Sequence, residues 1–145
     1  MALKVRLLNT APLDYTTPPW PSLYWPLSEK IGIPKYLYFT HDIWFYTLLW
    51  TLVMFASTHC IVAVIAVVMQ IGKGHRLWQY LWAIPLANII IAGIEAVLAG
   101  SVVGVVLGAV YESGYFKMST WIPFLWGLIN ALFLIVSSFS FGGGL

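Results

Sequence analysis

Charge is what this sequence has least of. Only 8% of its 145 residues are Asp, Glu, Lys or Arg, against 61% hydrophobic, and a soluble domain of this size would be left with an apolar surface. Seven basic and five acidic residues give a formal net charge of +2. That leaves no basic groove for nucleic acid, and the positive clusters at the ends of apolar segments set topology instead. The single cysteine, Cys60, lies inside an apolar run, which excludes a disulfide framework and a cysteine metal site. Phosphate loops, metal-ligand repeats and paired carboxylates are also missing, so the sequence implies no cofactor and no metal. Lys4 and Arg6 have no apolar core behind them; the N-terminus is therefore not read as a cleavable signal peptide, and the first membrane helix is expected to serve as the targeting signal.

What is present is apolar length. No formal charge stands between Asp42 and Lys73, and the run Ile43 to Met69 is long enough to cross a hydrocarbon core of about 30 Å. Trp44, Tyr46 and Trp50 crowd its start, at headgroup depth. Gly72 to Arg76 makes a short basic loop, the side expected to be cytoplasmic. The next run, Leu77 to Tyr111, is too long for one upright helix, and Pro85 is expected to kink it, leaving an interfacial lead-in at 77–84. Glu112 to Thr120 reads as a polar loop and Trp121 to Phe139 as a further span. The expected fold class is thus an all-α integral membrane protein. A three-transmembrane-helix bundle (residues 43–145, spans about 43–71, 86–111 and 121–139) follows a Pro/aromatic-rich N-terminal arm (residues 1–42). With Pro12, Pro18, Pro19, Pro21, Pro26 and Pro34, the arm cannot be one helix. Its anchors, Trp20, Tyr24 and Trp25, suit either the headgroup layer or a protein surface.

Within the second span Ala92, Ala96, Gly100, Gly104 and Gly108 recur at a strict spacing of four. In lipid no hydrophobic drive brings apolar helices together, so small residues that let backbones approach mark a packing interface. The face Ala56, His59, Ala63 and Ala66 of the first span is expected to meet this ladder, and Gly127, Asn130, Leu134 and Ser137 form a comparable stripe on the third. His59, Glu95 and Asn130 fall near the middles of their spans and are expected at similar depth, as one polar network. A bare carboxylate there costs about 2.5–3.5 kcal/mol on insertion scales, so Glu95 needs a proton or a partner, and His59 is the obvious one. The network either holds helices together or forms a proton or lipid-headgroup site. Catalytic arrangements are weaker: His41-Asp42 and His59-Cys60 are adjacent on a helix and should not face each other, and Ser137-Ser138 has no nearby base. No catalytic residue is assigned.

The order of these features resembles the transmembrane protein 170 family of small three-span proteins. The matching pieces are Asp42-Ile43-Trp44-Phe45-Tyr46 leading to Leu49-Trp50, the loop Lys73-Gly74-His75-Arg76, the small-residue span ending Gly108-Ala109-Val110-Tyr111, and Ile122-Pro123-Phe124 with Ser138-Phe139. The long arm and Glu95 depart from the family pattern. The resemblance implies a protein of endoplasmic-reticulum and nuclear-envelope membranes, with a lumenal N-terminus and a cytosolic basic loop. It also implies association with membrane lipids and with a larger bridge-like lipid-transfer protein at contact sites. The expected function is therefore a non-enzymatic accessory or scaffold subunit packing on a partner's transmembrane helix. The alternative is a small oligomeric transporter or channel using His59 and Glu95.

Overall fold

The computed structural model describes residues 11–12, 14–24, 35–70 and 81–139 with their side chains, and 140–142 by backbone alone. Along the chain these form β1 (Tyr36–Leu37), α1 (Thr40–Gln70), α2 (Ala83–Ser113), β2 (Met118–Ser119) and α3 (Trp121–Gly142). Three helices are long and apolar enough to cross a membrane, with mean hydropathy of 2.4, 2.4 and 2.0 in their best windows. Few residues in those windows are buried, which water would not tolerate and lipid requires. The chain is a multi-pass membrane protein.

Local sequence accounts for the boundaries. α1 has neither Pro nor Gly from Thr40 to Gln70, and Asp42 places an acid in its first turn, where the helix dipole favours it. α2 ends at Gly114, whose N–H donates to the Val110 carbonyl. Pro85 corrects the expectation of a kink. It is the third residue of α2, inside the first turn, where a backbone N–H has no intrahelical acceptor to lose. Pro85 therefore starts the span, and Ala83 and Ile84 already belong to it. The rest of the proposed lead-in, apart from a turn at 81–82, lies outside the described residues, as does the basic loop. At 31 residues α2 is about 46 Å long, well beyond the hydrocarbon thickness.

The excess length is used at one end. There the last turns of α2 and the first of α1 enclose a small core of Leu37, Ile43, Tyr46 and Met118, with Leu107, Tyr111 and Ile122 packed on it. β1 pairs antiparallel with β2, Tyr36 opposite Ser119 and Leu37 opposite Met118. This ribbon modifies the all-α expectation, because the loop read as merely polar carries a strand that ties the entry of α1 to the entry of α3. The fold is thus a bundle facing lipid along its length, closed at one end by a cap with a core of the soluble type.

Candidate membrane-embedded site

The ladder is buried against α1 of the same chain. Ala92, Ala96, Gly100, Gly104 and Gly108 are the buried residues of α2. A Cβ on Gly100 would lie 3.1 Å from the Leu48 Cα, one on Gly104 3.0 Å from the Trp44 Cα, and one on Gly108 3.0 Å from the Thr40 Cα. Each rung of four on α2 meets the residue four earlier on α1, as antiparallel helices in close contact must. α1 therefore occupies the ladder, and a separate protein would have to use another surface. The α1 face also differs from the expected one. Thr40, Trp44, Leu48 and Thr51 meet the glycines; of the proposed stripe, Ala63 is buried and His59 mostly so, whereas Ala56 is exposed.

His59 reaches Glu95 as expected, Nε2 to Oε2 at 3.1 Å. Helical side chains lean toward the N-terminus, so on antiparallel helices the His59 ring and the Glu95 carboxyl tilt toward each other. His59 is 17% exposed and Glu95 40%. The other ring nitrogen, Nδ1, lies 3.4 Å from Oδ1 of Asn88, whose amide nitrogen donates to the Ile84 carbonyl at 3.0 Å. With its amide nitrogen so used, Asn88 presents Oδ1 to the ring, and the tautomer with hydrogen on Nδ1 donates to it while Nε2 faces the Glu95 carboxyl. Pairing with one another is how ionisable groups are accommodated inside a span.

Asn130 is not part of this network. Its amide donates to the Thr51 hydroxyl at 3.2 Å, eight residues and so about 12 Å along α1 from His59. The expectation of equal depth failed because α3 starts at Trp121 and Asn130 is only its tenth residue. α3 meets α1 closely at Gly127, where a Cβ would lie 2.9 Å from the Trp50 carbonyl carbon.

The described part of the arm folds back on the cap of its own chain. Tyr15 and Thr17 hydroxyls both donate to Asp42 Oδ2, at 3.1 and 3.0 Å, and Tyr46 donates to the Pro18 carbonyl at 2.6 Å. Thr120 donates to the Ser22 carbonyl at 2.9 Å, and Trp121 Nε1 to the Tyr24 carbonyl at 2.8 Å. The Tyr24 hydroxyl pairs with Ser119, and Trp20 packs on Trp50 with ring centroids 5.2 Å apart. Trp25 lies outside the described residues. Burial beside the Asp42 carboxylate pushes the Tyr15 phenol above its ordinary pKa. His41 and Asp42 do meet, Nδ1 to Oδ1 at 3.6 Å, with His41 79% exposed, but the second Asp42 oxygen anchors the arm. Ser137 and Ser138 hydroxyls donate to the Leu134 carbonyl. Among the described residues no three His, Cys, Asp or Glu side chains are grouped to hold a metal ion.

Beside the His59–Asn88 contact, α1 and α2 border a groove of about 470 Å³, lined from Leu52 to Val68 on α1 and from Pro85 to Gly93 on α2. Asn88 and Asp42 are the functional positions that sequence reasoning passed over. Asn88 had a signal, since it lies seven residues before Glu95 on the same helical face. The anchoring role of Asp42 had none.

This geometry defines a small membrane bundle of three spans with an internally filled seam. Residues 36–143 match the family model described as transmembrane protein 170A/B-like. The chain is also 33% identical over 135 residues to a protein of Saccharomyces cerevisiae described as uncharacterized protein YPR153W, covering 93% of each chain. No solved structure gives a significant match. The chain belongs to the transmembrane protein 170A/B-like family.

Proposed function

We propose that this protein is a non-enzymatic accessory subunit of the endoplasmic-reticulum membrane, a rigid anchor for a larger membrane protein of the bridge-like lipid-transfer kind. The observation that carries the reading is the closed seam. From Thr40 to Thr51 the backbones of α1 and α2 are held together by Gly100, Gly104 and Gly108, which suits a fixed strut more than a path between spans. The arm, tied down on the cap through Asp42 and Tyr46, gives that strut a shaped face outside the hydrocarbon. Because the ladder is used internally, the partner is met through the outer faces of α2 and α3, where Ile94, Leu98, Phe133 and Val136 are exposed, or through the cap. The family resemblance supports the compartment and the kind of partner.

Native mass measurement of the protein extracted from reticulum membranes in mild detergent tests this. A hetero-complex much larger than 16.2 kDa, containing one long membrane-anchored lipid-transfer protein, is expected. A homo-oligomer or a lone monomer overturns the reading.

A further inference from the structure

Glu95 is the one formal charge on α2 between Ala83 and Tyr111, and it stays inside the membrane however α2 is set along its axis. A hydrocarbon core of about 30 Å takes up about 20 helical residues, and every stretch of that length within Ala83–Ser113 contains residue 95. The carboxyl is only half used. Its Oε2 lies 3.1 Å from His59 Nε2, and among the described residues no hydrogen bond reaches Oε1. With Nδ1–H donating to Asn88, Nε2 either accepts from a protonated Oε2 or, in the imidazolium, donates to an ionised one. In both arrangements Oε1 is left as an acceptor. That oxygen also reaches the outside of the bundle. The Glu95 side chain is 40% exposed and does not line the groove between α1 and α2. The buried polar atom left without a partner among the described side chains is Trp50 Nε1 and not an oxygen of Glu95.

An acceptor facing hydrocarbon has no water to satisfy it and keeps its desolvation cost. Acyl chains have no donor to offer. Within the bundle, the Ser57, Thr58 and Ser138 hydroxyls are turned back onto carbonyls of their own helices, and none of the chain's seven Lys and Arg residues lies in α1, α2 or α3. A second copy fails on geometry. Two copies related by a two-fold axis along the membrane normal bring equal levels together, so Glu95 would meet Glu95, acceptor against acceptor. A transmembrane helix of a different protein supplies what is missing, and the surface beside Glu95 suits one. Ile91 lies one turn before it and Leu98 and Val102 one and two turns after it on the same helical face, with exposures of 48%, 64% and 66%. A helix packed there covers a continuous apolar stripe around the free oxygen. We propose that this face of α2 receives a transmembrane helix of another protein, which donates a side-chain N–H or O–H to Glu95 Oε1. The inference deepens the accessory reading, on which it rests for there being a natural partner, and commits that partner to the α2 face.

The full chain, reconstituted in phosphatidylcholine liposomes without any natural partner, tests the site. The probe is a trace amount of a fluorescent polyleucine transmembrane peptide, either plain or carrying one asparagine at its centre or one turn to either side, with energy transfer to the labelled chain as the readout. The asparagine peptide of matching level is expected to bind about threefold to twentyfold more tightly than the plain one, the range of a single interhelical hydrogen bond. Glu95→Leu should erase that difference, and Glu95→Gln, which keeps an acceptor oxygen, should retain it. Leu98→Trp obstructs the approach of a helix without touching the His59 contact; it should weaken the asparagine peptide's binding and serves if Glu95→Leu does not fold. Equal binding of plain and asparagine peptides, a preference that survives Glu95→Leu, or self-association of the chain that depends on Glu95 overturns the proposal. Native mass measurement keeps this inference apart from the accessory reading. Lower recovery of the hetero-complex from Glu95→Leu than from the parent is expected; undiminished recovery overturns the docking point alone, whereas a parent without any complex overturns the accessory reading and leaves the site to the peptide measurement.

Discussion

Replacing Gly104 by leucine should separate α2 from α1, and the same change at Gly93 should not. At Gly104 the first added carbon would already sit 3.0 Å from the Trp44 Cα and 3.1 Å from its carbonyl oxygen. Both are backbone atoms, which cannot swing aside as a side-chain tip can. The three further carbons of leucine then have to be accommodated by moving the helix, and overpacking of this kind costs about 1–3 kcal/mol. Opposing it is the helix propensity regained on replacing glycine, about 0.8–1 kcal/mol in water. That gain is common to Gly104→Leu and Gly93→Leu, because both positions lie inside α2. The difference between the two variants therefore reports the seam alone. Thermal unfolding in one detergent, followed by loss of the monodisperse peak, should place Gly104→Leu several degrees below the parent and Gly93→Leu at or above it. Equal shifts in the two variants would show that the ladder is not in close contact and would refute the argument.

Asp42→Leu removes the acceptor of two hydroxyls and should weaken arm docking by about 1–3 kcal/mol; limited proteolysis should then cut within Ala11 to Tyr24 while all three helices stay inserted. At the His59 pair, Glu95→Gln should be nearly neutral in melting temperature because the amide still reaches Nε2, while Glu95→Leu should cost about 0.6 kcal/mol; loss of reconstituted proton or lipid flux in an intact Glu95→Gln protein would instead mark a transport site. The raised pKa of Tyr15 gives the alkaline prediction its sign. The docked phenol resists ionisation, so its contribution is complete below the ordinary tyrosine value of about 10 and is lost as pH rises beyond it. Tyrosinate absorbance should show Tyr15→Phe removing a late-titrating group, and removal of an early one would contradict the docked geometry.

Span number, the ladder as a packing face and the His59–Glu95 contact were legible because each rests on periodicity along one helix or on the antiparallel arrangement of two joined by a short loop. Those signals are local. Asn130 shows where they stop: its depth depends on where α3 begins, and a few residues of offset move a side chain by a helical turn or more. Pro85 misled for a related reason. Proline disrupts an interior turn yet is welcome in the first one, and only the helix start at Ala83 separates the two cases. The ribbon of β1 and β2 is two residues a side, too short for any alternation to be read.

The arm was illegible for a different physical reason. Aromatic rings and prolines near a span suit headgroups, a foreign protein or the chain's own cap equally well, since all three offer an apolar surface with polar atoms at its edge. What distinguishes them is which hydrogen bonds are closed, and that is a property of atoms far apart in sequence: Thr17 with Asp42, Ser22 with Thr120, Tyr24 with Trp121. The same logic separates the two glycine environments on α2. Gly104 and Gly93 sit in one apolar run and read alike, yet one lies against a backbone and the other borders a groove. Small residues in a membrane helix therefore announce room and do not say what fills it. Here α1 fills that room at Gly104, whereas at Gly93 the two helices leave a groove between them.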